Sequence, residues 1–322
     1  HNRKDMCKER CRKLAVEIFN GKEYIKIYEG GLLFYAEPNS LPLILPYKYP
    51  QTVERIKITS LINDYLHLSK VNVLAYIPKI VSYKKVLCAF GDSGLAPTLE
   101  RFKAQAKEMH YDEVFIHTEY DLDKDFYEHW KDKFKLKRGF GYWVWKPQII
   151  LQILAKMQDG DILQYTDVGC HLNPCGLRKL DEFFDLTDKS SSGMLGFKQT
   201  HIEKYWTKGD LFDYFGVRDR KDFYDTGQLW SGTMFIKKSK KTVKFIKNWL
   251  KVYCDDFSLV DDSPSKSQNF EGFIENRHDQ SIFSFLGKIN NIITLPHYKK
   301  KVDEPVWALR DKKRITPIVK EL

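Results

Sequence analysis

Apolar and polar positions change tempo at Lys84. From there, short apolar runs alternate with longer amphipathic stretches. Val86-Leu87-Cys88-Ala89-Phe90 reads as a strand, Ala96 to Met109 as a helix, Glu113 to His117 as a second strand and Asp123 to Phe134 as a second helix. Such alternation implies a parallel sheet with helices packed on its faces. The next block, RGFGYWVWKPQIILQILAKMQDGDILQYTDVG from Arg138 to Gly169, is the most informative of the chain. Ile149, Ile150, Ile153, Leu154 and Met157 form one stripe of a helix that begins at Pro147, since proline is tolerated in a first turn. Asp159-Gly160-Asp161 stops that helix, and Ile162 to Tyr165 is an apolar run of the kind that forms an internal strand. Asp167 therefore lies just past a strand end, the edge where open α/β sheets bind ligands. Gly169 lacks a Cβ and lets backbone or ligand come close.

Farther along, Leu177 to Phe184 is expected to be helical, Met194 to Lys198 and Gln228 to Lys237 to be strands, and Ser281 to Leu286 a helix. A polar, aromatic stretch from His201 to Tyr224 lies between the two strands. Residues 1–83 break this rhythm. They hold Leu32-Leu33-Phe34-Tyr35, a proline-rich stretch from Pro38 to Pro50 and a helical pattern through Ile56, Leu61, Ile62, Tyr65 and Leu66. The expected organisation is an N-terminal accessory region (1–83), an α/β domain (84–295) and a basic C-terminal tail (296–322).

Composition narrows the class. At 322 residues, 43% hydrophobic and 14% aromatic, the chain can bury a sizeable core, which excludes wholesale disorder. It has no apolar run of about 18 residues, so no transmembrane helix is expected. The opening HNRKDMCKERCRK is basic without an apolar core and does not read as a secretory signal, so the expected compartment is the cytoplasm. The six cysteines lack zinc-type spacing and read as free thiols. Of the net charge of +10, residues 1–13 contribute +4 and residues 296–322 another +4. Clusters such as Lys299-Lys300-Lys301 and Lys312-Lys313-Arg314 suit either solvent or peripheral contact with the anionic inner face of a membrane. No nucleic-acid reader motif accompanies them.

Four strings, RGFGYWVWKP, GDILQYTDVGCHLN, WSGTMFIKK and RHDQSIFS, resemble bacterial and viral nucleotide-sugar-dependent glycosyltransferases of the GT-A type, especially those acting on surface polysaccharide and lipopolysaccharide. The resemblance covers roughly residues 84 to 295. It implies a GT-A fold, Rossmann-like, with a mostly parallel sheet flanked by helices. It also implies transfer of a hexose or deoxyhexose from a UDP- or GDP-sugar to a saccharide or lipid-linked saccharide acceptor, in O-antigen or core synthesis. By the same resemblance, Ala89, Phe90 and Gly91 flank the base and ribose, with Tyr120 and Asp121 near the same crevice. Lys146 and Arg138 are the expected phosphate contacts, because a departing diphosphate needs its charge balanced. Trp230, Ser231 and Gly232 would border donor and acceptor, with His201 and Glu203 on the acceptor side.

The catalytic pair implied is Asp279 and Gln280, which would bind donor hydroxyls or stabilise an oxocarbenium-like centre; a helix cap is the alternative for Asp279. Their likeness to the pair of retaining enzymes leans toward a retaining course. GT-A enzymes commonly carry Asp-x-Asp around a divalent cation, Mn²⁺ or Mg²⁺. Here the string is Asp167-Val168-Gly169. Either Asp167 holds the metal with a distant ligand such as His297 or His278, or Lys and Arg replace the metal. Two other classes stay open: a nucleotide- or carbohydrate-binding module without turnover, and a nucleic-acid-binding protein using its basic termini.

Overall fold

The computed structural model describes residues 83–313, together with the backbone of three strands nearer the N-terminus. The chain divides into two units, His1–Ser82 and Tyr83–Leu322. In the first, β1 (Val16–Phe19), β2 (Lys22–Glu29) and β3 (Leu32–Ala36) form an antiparallel meander in that order. The expectations for Pro38 to Pro50 and for Ile56 to Leu66 lie outside the described residues.

The second unit is built on a six-stranded sheet. Its strands are β4 (Lys85–Phe90), β5 (Glu113–His117), β6 (Ile162–Thr166), β8 (Met194–Ile202), β9 (Gly227–Lys237) and β10 (Ile293–Pro296), in the order β10-β8-β9-β6-β4-β5. A separate two-stranded pair joins β7 (His171–Leu172) to β11 (Val306–Trp307). In the large sheet β9 runs antiparallel to both neighbours, and the other five strands run one way. The expected mostly parallel sheet is therefore present, with one reversed strand inside it. All five residues of β6 are buried, which explains why the strand reads as an apolar run without alternation.

The crossovers place α1 (Ala96–Ala106), α2 (Lys124–Phe134) and α3 (Trp145–Lys156) around β4, β5 and β6. Later come α4 (Leu177–Lys189), α5 (Lys240–Asp255) and α6 (Asp279–Ile289), with short helical turns between β8 and β9. Pro147 is the third residue of α3, where its missing N–H has no intrahelical partner to lose. Asp123 caps α2 by accepting from the Phe126 amide at 3.0 Å. Helix α5 has no counterpart among the expectations; it buries Phe245, Ile246, Trp249, Val252 and Tyr253 in the main core.

Sheet order fixes where a ligand belongs. From β4 the chain moves to β5 on one side and then crosses to β6 on the other, so the loops after β4 and β6 diverge at a topological switch point. The expected basic C-terminal tail, 296–322, starts at the last residue of β10. Up to Lys313 it is a docked strap. The Asn173 side chain donates to the carbonyls of Val302 (2.7 Å) and Glu304 (2.8 Å), and the Asn173 amide donates to Pro305 at 2.8 Å. Gly176 permits this approach, since a Cβ there would lie 2.4 Å from the Pro305 nitrogen. Cys88 and Cys170 are buried free thiols whose burial pushes them well above the ordinary thiol range, and Cys254 is free and exposed. Cys175, expected to be free, is disulfide-bonded. Among the described residues, no helix is long and apolar enough to cross a membrane.

Candidate functional site

The switch-point crevice is a cleft whose lining joins Gly91 and Asp92 after β4 to Asp167 and Val168 after β6. One wall is aromatic: Phe90, Phe140, Trp143 and Trp145. Phe90 stacks on Trp145 at 4.0 Å, Phe140 on Phe134 at 4.8 Å and Trp143 on His278 at 5.5 Å. The loop carrying this wall makes an unusual turn, in which Gly139, Phe140, Gly141, Tyr142 and Trp143 all have φ between +50° and +81°. Left-handed backbone costs a residue other than glycine about 1–2 kcal/mol, so Phe140, Tyr142 and Trp143 need compensation. They receive it from stacking, from the Tyr142 hydroxyl donating to Asp262 (2.6 Å), and from Tyr253 donating to the Tyr142 carbonyl (2.8 Å). Trp145 Nε1 also donates to the Gly139 carbonyl at 2.9 Å.

Beneath the cleft lies an ionic floor. The Lys146 ammonium, 1% exposed, donates to Asp279 at 2.6 Å, lies 3.2 Å from Asp167 Oδ1 and reaches the Ser231 carbonyl at 3.3 Å. Burial pushes the Lys146 pKa down, but the two carboxylates outweigh burial and hold it above the ordinary lysine value. Ser231 donates its hydroxyl to Asp279 at 2.7 Å, and the buried Tyr165 hydroxyl donates to Asp167 Oδ1 at 2.7 Å. A lysine in the first turn of a helix opposes the helix dipole, so Lys146 sits against local preference. Such conflicts concentrate at functional sites. Asp279 is the first residue of α6; its carboxylate turns to Lys146 and Ser231 rather than capping the helix.

The expected residues divide accordingly. Phe90, Gly91 and Asp167 line the cleft, Ala89 is buried in β4 beside them, and Lys146, Ser231 and Asp279 meet in the floor. Gly232 supports the floor by accepting from the Asp167 amide at 2.9 Å; a Cβ on it would strike the Trp230 ring at 2.3 Å. Trp230 faces His297 edge-on at 4.3 Å. Gln280 is drawn away, donating to Gln199 (3.1 Å) and Gln228 (2.7 Å), so it does not pair with Asp279 in the floor. Tyr120 is 82% exposed and outside the cleft lining, because the turn Glu119–Asp121 points it outward. Asp121 closes that turn onto the Thr118 amide at 2.7 Å. Arg138 is likewise outside, paired with Asp262 (3.1 Å) and Glu275 (3.2 Å). Glu203 is fully buried in a network with Thr207, Gln228, Ser284 and Lys288.

Asp92, Lys137 and Lys312 also line the cleft and were not among the expected site residues. Asp92 follows β4 as Asp167 follows β6, a symmetry visible in the sequence; nothing local marks Lys312. No group of three or more His, Cys, Asp or Glu side chains able to hold a metal forms among the described residues. His278 is held by the Val260 carbonyl and stacked on Trp143.

No protein-family model and no curated protein sequence matches the chain. Solved structures resemble it weakly. Mouse xyloside xylosyltransferase 1, in its apo form, is similar at 11% identity and a TM-score of 0.36, over 67% of this chain and 85% of that one. A glycosyltransferase involved in glycosylation of the major capsid of PBCV-1 is similar at 13% identity and 0.32, over 54% and 68%. The galactosyltransferase LgtC, solved with donor and acceptor sugar analogs, is similar at 14% identity and 0.30, over 65% and 72%. The α/β assignment rests on the sheet order itself.

Proposed function

We propose that the protein is a glycosyltransferase that moves a sugar from a nucleotide-sugar donor to a saccharide acceptor. The observation that carries this reading is the pairing, at one switch-point crevice, of an aromatic wall with the floor in which Asp167 and Asp279 share a buried ammonium. An aromatic wall offers stacking faces to a base, and the carboxylate of Asp167 looks into the same cleft. Glycosyl transfer asks for balanced charge on a leaving diphosphate, an aimed acceptor hydroxyl and a stabilised, electron-poor sugar carbon. Both described partners of Asp167 fall on Oδ1, so Oδ2 remains for a donor hydroxyl or the sugar carbon. Lys146 and Asp279 act through Asp167 by holding its carboxylate in place.

Asp92 and Asp167 are the two carboxylates of the lining, and Asp167 already shares the Lys146 ammonium, so a divalent cation held here would take most of its oxygen ligands from water and the donor diphosphate. The motif resemblance favours a UDP- or GDP-sugar donor, a surface-glycan acceptor such as O-antigen or core, and contact with an anionic membrane face.

The deciding measurement is hydrolysis and transfer from a panel of UDP- and GDP-sugars by wild type and Asp167→Asn. Loss of a preorganised charge at a reacting centre predicts a fall of about 10²-fold or more with folding intact. Equal turnover by both proteins would remove Asp167 from the chemistry, and nucleotide binding without any turnover would favour a binding module.

A further inference from the structure

The strap places one side chain, Lys312, in the lining of the cleft, where it has no described partner. We propose that Lys312 is a diphosphate-binding residue, standing over Gly169 and doing for an anionic ligand what a metal ion would otherwise do. The inference rests on the nucleotide-sugar reading for its choice of ligand, and its geometry stands apart from that reading.

The strap is fastened on both sides of Lys312. The Asp311 amide donates to the Gly169 carbonyl at 2.9 Å, and the Asp311 carboxylate meets His171 Nε2 at 2.8 Å. Arg101 donates to the Asp311 carbonyl at 3.1 Å and to the Val168 carbonyl at 2.6 Å, tying strap and cleft loop together. On the other side, Lys313 and Thr98 exchange hydrogen bonds of 2.6 and 3.1 Å. Lys312 is thus held between two anchored residues, and its side chain lines the cleft with Asp167 and Val168. Its stem covers Gly169: a Cβ there would lie 3.0 Å from Lys312 Cε and 3.3 Å from Cγ. A larger residue at 169 would occupy the path of this side chain. Among the described residues nothing hydrogen-bonds or ion-pairs with the Lys312 ammonium. Lys137 also lines the cleft, and no hydrogen bond or ion pair joins it to another described residue.

An ammonium held at a cleft without a described partner, with Asp167 of the same lining already sharing a buried lysine, suits an anion. Phosphate oxygens accept charge-assisted hydrogen bonds from lysine as from a point charge. The diphosphate is the part of a nucleotide sugar with that chemistry.

The test is calorimetric titration of the full chain, in the presence of a chelator, with inorganic pyrophosphate, UDP, GDP and the nucleosides uridine and guanosine. Lys312→Ala is expected to weaken pyrophosphate and the preferred nucleoside diphosphate by about ten- to a hundredfold, with nucleoside binding unchanged and Lys312→Arg recovering most of the loss. Unchanged diphosphate affinity in Lys312→Ala overturns the assignment, as does wild-type binding that appears only when a divalent cation is added. Lys312-dependent binding of pyrophosphate without binding of any nucleotide keeps Lys312 as an anion ligand and removes the nucleotide-sugar reading instead.

Discussion

The floor of the cleft and the strap above it hold lysines under opposite conditions. Lys146 is buried and touches two carboxylates and a carbonyl, all from the protein. Lys312 lines the open cleft and touches no described acceptor. A cation whose partners are all internal is committed to holding structure, because losing any of them strands a charge out of water. A cation fixed by its backbone neighbours and left unpaired is available to a ligand. The two regions should therefore fail differently, one by unfolding and the other by losing affinity.

The sharpest way to break this contrast is Lys146→Ala. Asp279, 5% exposed, would be left with only the Ser231 hydroxyl among its described side-chain partners. Removing one partner of a buried ion pair costs about 3–5 kcal/mol, so the urea unfolding midpoint should drop sharply. The double variant Lys146→Met with Asp279→Leu should recover part of the loss, since it leaves neither charge of that pair alone. A Lys146→Ala protein within about 1 kcal/mol of wild type would mean that the floor is not a desolvated network.

Gly176→Ala probes the strap without touching the cleft. The added Cβ meets Pro305 backbone at 2.4 Å, and backbone cannot rotate aside as a side-chain tip can. Overpacking of this kind costs about 1–3 kcal/mol, taken here from strap docking while the sheet stays intact. The expected result is a loss of pyrophosphate affinity close to that of Lys312→Ala. Full retention of affinity would show that Lys312 reaches the ligand without a docked strap.

The same contrast separates what the sequence made legible from what it did not. Glu113 to His117 was delimited exactly, and Asp167 was placed just past its strand, because β4, β5 and β6 declare themselves by local patterning. The partners of Lys146 are 21, 85 and 133 residues away, and no local spacing reveals such pairing. Lys312 was misleading for a physical reason. Its neighbours Lys313 and Arg314 make it look like part of a solvated basic cluster, while its position is set by Thr98, Arg101, Gly169 and His171. The resemblance pairs Gln280 with Asp279, yet successive residues of a helix point about 100° apart and these two reach different networks.

The smallest expected effect concerns acid, and it distinguishes the floor from the Trp230 side of the site. The buried polar atoms His201 Nδ1, Arg277 Nε and His297 Nε2 have no hydrogen-bond partner among the described residues, whereas the Lys146 ammonium has several. Burial, with His201 nearby, pushes His297 down to about 4 from an ordinary value near 6.5. A histidine depressed on folding contributes stability above about pH 6.5; the contribution is lost as pH falls toward 4, because the unfolded chain takes up the proton first. Burial lowers His110, His117, His201 and His278 in the same direction, so His297 carries only part of the slope. His297→Gln should therefore match wild type closely at pH 8 and lose less stability between pH 6.5 and 4, measured by urea unfolding at several pH values. Identical slopes in the two proteins would mean that this imidazole titrates as freely in the folded state as in the unfolded one, and that the Trp230 side is as well solvated as an open surface.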